Sequence, residues 1–218
     1  LRLYKFYGAE SALRNIRDRR LKISTIHDLN DPFEFNAIKL PNKASRTLWS
    51  TQVNRIFREI GIVCFCRSWD NPVIWSHYAD SHRGLALGFD VLSEGELLPV
   101  EYTKSRIDFA QESERSFNGD TFGFIKKSIA TKFIHWEYEN EVRLVVDLGK
   151  PDQENGLFFK KFDDELILRE VIIGAKSEVS SLDIRNAFGA NTPLETTTAR
   201  LAFQDFRVVR QHAKRLQK

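Results

Sequence analysis

In the stretch Trp136-Glu137-Tyr138-Glu139-Asn140-Glu141-Val142-Arg143-Leu144-Val145-Val146, three carboxylates and an arginine occupy alternate positions. Successive side chains of an extended strand point to opposite faces. The spacing therefore predicts Glu137, Glu139, Glu141 and Arg143 on one face and Tyr138, Val142, Leu144 and Val146 on the other. Neighbours on one face are about 6 to 7 Å apart, close enough for each carboxylate to raise the proton affinity of the next and to favour a cation nearby. Such a row can offset a developing positive charge, orient a nucleophile or hold a cation. It can equally be a solvent-facing row paired with Lys or Arg across the sheet.

Two further constellations could border a site. In Asn30-Asp31-Pro32-Phe33-Glu34 the proline fixes its own backbone and keeps Asp31 out of the helical region, so a turn is expected. Asp31 and Glu34 either bond backbone amides there or, with Asn30 and the flanking Phe33 and Phe35, form a wall of a site. From Trp75 to Gly84, helical spacing sets Trp75, Tyr78, Ala79 and His82 on one stripe, with His77 to the side. His82 is then a structural imidazole held between Trp75 and a backbone carbonyl. Otherwise it packs with the indole against a planar group such as a nucleobase or nicotinamide.

Cys64 and Cys66 precede His77 and His82 in the manner of a zinc finger. A single intervening residue in an apolar strand is a poor metal-binding turn, however, and no metal is expected. The same alternation suits neither a loop-closing disulfide nor an oxidising compartment.

The elements that must position these residues are short and interspersed. Leu3-Tyr4-Lys5-Phe6 reads as a strand, Glu10 to Arg19 as a helix with Leu13 and Ile16 inward, and Leu21 to Ser24 as a second strand. A polar linker from Pro41 to Arg46 leads to a helix near Thr47 to Glu59. Ile62 to Cys66 is a buried strand, and a capped helix begins at Asp70-Asn71-Pro72 and is expected to reach about His82. Leu85 to Phe89 and Pro99 to Tyr102 read as strands, Ser105 to Gly119 is charged and unassigned, and Phe122 to Ile134 reads as a helix. A loop from Pro151 to Gly156 is followed by an amphipathic stretch, a strand at Val171 to Gly174, a helix at Ser181 to Phe188 and a closing strand at Phe206 to Arg210. Without a strict strand-helix-strand rhythm, this is an α+β fold with a mixed, mostly antiparallel sheet, continuous or split, flanked by helices.

The 218 residues suffice for one well-buried core, so a single domain over 1–218 is expected, with a basic C-terminal segment at 207–218. The net charge of +3 is too mild to declare a nucleic-acid binder by itself. Basic runs at Arg14 to Lys22 and Arg207 to Lys218 read first as solvated surfaces. No stretch approaches the ~20 apolar residues of a spanning helix, and the start lacks a signal-peptide layout. No membrane association and a cytoplasmic location are expected.

Taken together, Leu3 to Phe6, Leu21 to Ser24 with Asn30 to Glu34, Cys64-Phe65-Cys66, Trp75 to Asp80 with His82 and Gly84, and Trp136 to Arg143 resemble the bacterial domain-of-unknown-function family numbered 2971. The resemblance covers residue 3 to about residue 175 and implies no activity. A second pattern is similar to the ADP-ribosyltransferase superfamily: an opening strand with Tyr4 and a basic residue, a short strand ending in Ser24, an aromatic-rich helix, and Glu139-x-Glu141. That resemblance implies NAD as substrate, in an ADP-ribosyltransferase or NAD hydrolase of toxin or phage-defence type, with a nucleic-acid or protein acceptor. Glu141 would hold the ribose hydroxyl and the developing oxocarbenium, and Glu139 would orient the nucleophile. Tyr4, Lys5 and Ser24 would line the dinucleotide cleft, and Arg143, like His77 and Tyr78, would bind the substrate. Position 5 is Lys where many members carry His or Arg.

Two other readings compete. In one, Asp31, Glu34, Glu139 and Glu141 hold Mg²⁺ or Mn²⁺ for a nuclease or phosphoesterase, with Lys5 or Lys132 on the scissile phosphate. In the other, a non-enzymatic domain recognises a small-molecule nucleotide, a protein or a nucleic acid through the aromatic helix and the basic ends. The sequence leaves the oligomeric state open.

Overall fold

The computed structural model describes residues 1–25, 28–92, 97–108, 121–149, 152–189 and 193–218. The chain opens with β1 (Arg2–Tyr7), α1 (Ala9–Asp18), β2 (Arg20–Ile23), β3 (Ile38–Lys39) and α2 (Lys43–Ile56). It continues through β4 (Ile60–Cys66), α3 (Pro72–Tyr78), β5 (Leu85–Val91), β6 (Leu97–Pro99), β7 (Glu101–Thr103) and β8 (Ile107–Asp108). Then follow α4 (Thr121–Ile129), β9 (Thr131–Phe133), a 3-10 turn (Ile134–Glu139), β10 (Glu141–Asp147), β11 (Asp152–Glu154) and β12 (Leu157–Lys161). The chain closes with β13 (Leu166–Ile173), α5 (Ser181–Phe188), β14 (Glu195–Leu201), β15 (Val208–Arg210) and a last turn (Lys214–Leu216). The fold is α+β, with mixed and mostly antiparallel sheets. No helix among the described residues is long and apolar enough to cross a membrane.

The elements fall into two compact units. The first comprises Leu1–Leu21, Phe65–Gly95 and Lys160–Lys218; the second comprises Lys22–Cys64 and Glu96–Phe159. In the first unit the strand order β15-β14-β13-β5-β1 is antiparallel except at β13 and β14, which run parallel. The strands β5 and β13 are nearly continuous apolar runs, as a sheet covered on both faces requires. One cover is α1, which buries Ala12, Asn15 and Ile16 and packs on α5, β5 and β1. A reciprocal capping box between Ser180 and Asp183 starts α5. Another cover is α3, which sets Trp75 edge-on to Phe6 with ring centroids 5.1 Å apart.

The second unit is built around Phe35, Ile38, Trp49, Val53, Phe57, Ile62, Ile125 and Ile129. Its strand β10 lies between β4 and β6 and is antiparallel to β6, while β3 pairs with β8 and β7 with β9, both in parallel. The carbonyl of Phe35, whose backbone is left-handed, accepts from the Trp49 indole at 3.2 Å and from the Ser128 hydroxyl at 3.2 Å. Those two bonds pin the turn that carries Asp31 and Glu34.

Several boundaries differ from those expected, for local reasons. Asn42 accepts the Ser45 amide and caps α2, so that helix begins at Lys43 inside the expected linker. The helix expected through Ile134 ends at Ile129, because β7 captures the following residues as β9. Val100 divides the expected strand at 99–102 by giving its N–H to the Glu141 carbonyl at 3.0 Å. The segment from Ser105 to Gly119 is described only as far as Asp108. From Asp152 on, the expected loop is one arm of the β11–β12 hairpin.

Candidate functional site

The expected acidic strand starts only at Glu141. Residues 134–139 coil into a 3-10 turn that ends at Asn140, in the left-handed conformation an asparagine tolerates better than most residues. Glu137 consequently points into solvent, while Glu139 and Glu141 are both buried. They meet Glu34 and two cations, Lys132 from β9 and Arg143 from β10, in a nearly buried network.

The Lys132 ammonium lies 2.6 Å from Glu139, 3.1 Å from Glu34 and 3.3 Å from Glu141, with the Trp136 ring 4.7 Å away. Arg143 gives Nε to Glu141 Oε1 (2.9 Å), Nη2 to Glu34 Oε2 (2.5 Å) and to Glu141 Oε2 (3.1 Å), and Nη1 to the Ile129 carbonyl (2.7 Å). The Tyr102 hydroxyl accepts the Glu141 amide at 2.8 Å. The Cys64 side chain also hydrogen-bonds Glu141.

Burial alone would raise the Glu141 pKa, but Arg143 and then Lys132 hold it down to about 2. Burial would strip the proton from Lys132, yet Glu141, Glu34 and Glu139 raise its pKa above the ordinary lysine value. The same balance, with Glu141 and Glu34 opposing burial, keeps Arg143 charged. The Tyr102 phenol is raised chiefly by burial and by the nearby Glu141 and Glu139. Both Glu141 oxygens already receive cationic donors.

A cavity of about 280 Å³ opens beside this network within the second unit. Glu34 and Lys132 reach its inner wall, and Asp31 lines it with them. Asp31 is 6% exposed, and its Oδ1 accepts the Phe33 amide at 2.9 Å. Among the described residues that carboxylate has no cation partner. Lys104 and Arg106 stand at the mouth, with the Arg106 guanidinium 5.1 Å from the Phe33 ring centre. Phe33 and Phe133, which also line the cavity, are 57% and 45% exposed. Asn30 is exposed on the turn leading to Asp31, and Ser24 forms an isolated bridge with Ile62.

The other expected residues lie in the first unit. The Tyr4 hydroxyl donates to Glu170 at 2.9 Å, and burial followed by that bond pushes its pKa up to about 12. Glu170, 3% exposed, also binds Arg2 at 2.8 Å and Arg210 at 3.2 Å. The Lys5 ammonium sits 5.6 Å from the Tyr7 ring centre. Trp75 is fully buried and donates to the Trp69 carbonyl at 2.6 Å. His77 is exposed beside Tyr78, their rings 6.2 Å apart.

The helix that was to carry His82 stops at Tyr78, and Asp80, Ser81 and His82 follow in left-handed backbone. His82 nevertheless stacks on Trp75, with ring centroids 6.1 Å apart and planes at 12°, and lies 3.3 Å from the Ser76 hydroxyl. Among the described residues its Nδ1 is buried without a partner, and burial, then Lys176, lowers its pKa.

The matched part of the chain covers most of α3 and the acidic network apart from Glu34. Residues 74–144 match the model of the family described as Protein of unknown function (DUF2971). The matched segment contains Trp75, His82, Lys132, Glu139, Glu141 and Arg143 and stops short of the turn carrying Asp31 and Glu34. No curated protein and no solved structure matches the chain.

Sequence reasoning missed Tyr102, Glu170 and the cavity mouth. A lone Glu in the apolar run Leu166–Ile173 was a signal for Glu170, because a carboxylate in a covered strand demands cations. Lys104 and Arg106, bracketing Ser105 just beyond a strand, were the signal for the mouth. Among the described residues no three His, Cys, Asp or Glu side chains are grouped to hold a metal ion. The carboxylates of the metal-dependent reading, Asp31 excepted, are instead neutralised by Lys132 and Arg143.

Proposed function

We propose that the second unit binds a ribonucleotide in the cavity beside the Glu34–Lys132 pair. What supports the reading is one observation: a nearly buried carboxylate that has no cation partner among the described residues, Asp31, lines the same cavity as two cations without carboxylate partners among them, Lys104 and Arg106, and two half-exposed rings, Phe33 and Phe133. A ribose diol donates to Asp31, phosphates are drawn to Lys104 and Arg106, and the base stacks on a phenylalanine. The volume lies near the lower bound of about 300 Å³ for ligand pockets, which suits a mononucleotide or one half of a dinucleotide. The buried network below is the rigid support: its pairs fix the backbone at Glu34 and Lys132, and hence the wall on which the ligand rests.

Calorimetric titration with AMP, ADP-ribose and NAD tests this. Asp31→Asn keeps an oxygen for the Phe33 amide but weakens the bond to a ribose hydroxyl, and Arg106→Ala removes a phosphate partner. Each should cost about 1.5 to 3 kcal/mol, or about 10- to 150-fold in Kd. Saturable binding indifferent to both substitutions, or no binding of any of the three ligands, refutes the assignment.

Asp31 also favours a second reading, in which the ligand is NAD and its glycosidic bond is cleaved. The carboxylate able to approach a ribosyl oxocarbenium is then Asp31, since Glu141 is saturated by Arg143 and Lys132. Nicotinamide release would then be lost in Asp31→Asn even at NAD concentrations that saturate the weakened site. Release at the wild-type rate by that variant removes this reading and leaves binding intact.

A further inference from the structure

The hairpin between β14 and β15 in the first unit displays two aromatic rings almost entirely to solvent. Phe203 is 92% exposed and Phe206 98%. The turn that carries them is pinned. Ala202 donates to the Arg207 carbonyl at 2.9 Å, Val208 donates to the Asp70 carbonyl at 2.8 Å, and Arg207 grips the Asp70 carboxylate with Nε at 3.0 Å and Nη2 at 2.7 Å. Single exposed apolar residues are ordinary, but two phenylalanines held out on one ordered turn form a candidate recognition feature.

Charge and shape around the turn indicate its occupant. Residues 200–218 carry six Lys or Arg against one acid, Asp205. Arg207 is taken by Asp70, and Arg210 by Glu195 and Glu170. Arg200, Lys214 and Arg215 have no carboxylate partner among the described residues. The Arg200 guanidinium lies 4.7 Å from the Phe203 ring centre. Beside the hairpin is a shallow concavity of about 290 Å³, lined by Arg200, Phe203, Gln204, Asp205, Arg210 and His212. It therefore offers donors and acceptors next to an aromatic face.

We infer that this hairpin binds single-stranded nucleic acid. Bases stack on Phe203 and Phe206, the phosphates are held by Arg200, Lys214 and Arg215, and a base edge reaches Gln204 and Asp205 in the concavity. A lipid surface would use the rings and the cations but would have to take Asp205 and Gln204 out of water with them. A duplex buries the base faces the rings need. The assignment does not rest on the nucleotide cavity of the second unit.

The test is fluorescence anisotropy with the full chain and labelled 12-residue oligo-dT, oligo-rU and a duplex of equal length, at 50 and 200 mM salt. The single strands should bind more tightly than the duplex, and the two single-strand probes distinguish DNA from RNA as the source. The double variant Phe203→Ala/Phe206→Ala, both sites lying outside the core, should weaken binding at least tenfold with the salt dependence unchanged. Lys214→Ala/Arg215→Ala should weaken it and reduce the log–log salt slope by about 1.4. The inference is overturned by a folded wild type that binds neither single strand at 50 mM salt, or by wild-type affinity in the double phenylalanine variant. It is equally overturned by phenylalanine-dependent binding to phosphatidylserine vesicles, or by a dimer dispersed by Phe206→Ala, where oligonucleotide binding is absent.

Discussion

Arg143 is wholly buried and makes four hydrogen bonds, to Glu34, Glu141 twice and the Ile129 carbonyl, so removing it strands two carboxylates in the interior. Arg143→Met keeps most of the volume but leaves Lys132 alone to serve three acids. A buried pair broken from one side costs about 3 to 5 kcal/mol, and a loss of that size in urea-denaturation free energy is expected. Arg143→Lys keeps the charge without the planar fork that reaches three partners at once, and should fall between wild type and Arg143→Met. Equal stability of all three proteins would show that the network does not hold the second unit together. The sequence brought Glu139, Glu141 and Arg143 together correctly, but by way of a continuous strand. It set Lys132 near them only as a phosphate ligand in the metal-dependent reading and not as their ion-pair partner, because that contact is made by folding β9 back toward the start of β10, and no local spacing records it.

At the scale of elements, starts were more legible than ends. The Asn71 cap and Pro72 announce α3 in the sequence, and the capping side chain accepts the Val73 amide at 2.9 Å. Its end was not legible, because the Trp75–His82 contact has helical spacing yet is reached through three consecutive left-handed residues, each costing about 1 to 2 kcal/mol. Long-range packing compensates them. Gly174 donates to the Gly84 carbonyl at 3.0 Å, and Lys176 donates to the His82 carbonyl at 3.0 Å. A Cβ at Gly174 would lie 2.3 Å from the His82 carbonyl oxygen and 2.6 Å from that of Gly84. Both obstacles are backbone and cannot swing aside. Gly174→Ala should therefore destabilise by at least the ~1 to 3 kcal/mol typical of overpacking and should shift the His82 and Trp75 signals in NMR spectra. Gly149→Ala, which meets a movable Asp147 side chain at 3.2 Å, is the control and should change little. Matching losses at the two positions would mean that the left-handed turn is not held by the Gly84–Gly174 contact.

For the molecule as a whole, the sequence does not mark the units, since three of their four boundaries fall inside β2, β4 and β12 and the fourth lies between β5 and β6. The hydrogen bonds and cations around several carboxylates do leave a readable trace in stability against pH. Asp28, Asp70, Asp90, Asp163 and Glu141 are all held below the ordinary carboxylate range, Glu141 at about 2. Their folded states bind fewer protons than their unfolded states, so their stabilisation is present above about pH 4 and lost as pH falls toward 2. His82, lowered by burial and then by Lys176, adds an earlier loss that begins as pH drops below about 6.5. On the alkaline side the sign reverses. The Tyr4 phenol, pushed up to about 12, and the raised Lys132 favour the folded state below about pH 10, and that advantage disappears as pH climbs through their folded values. Urea titrations at closely spaced pH should therefore give a plateau between about pH 6.5 and 10 with two acid steps below it. His82→Gln should flatten the step nearest neutrality and leave the lower one in place. Glu141→Gln should lower the plateau and shrink the lower step, leaving the His82 step as in the wild type. A His82→Gln protein that still loses stability from pH 6.5 to 5 as steeply as wild type would mean that the neutral imidazole stacked on Trp75 does not set the upper acid step.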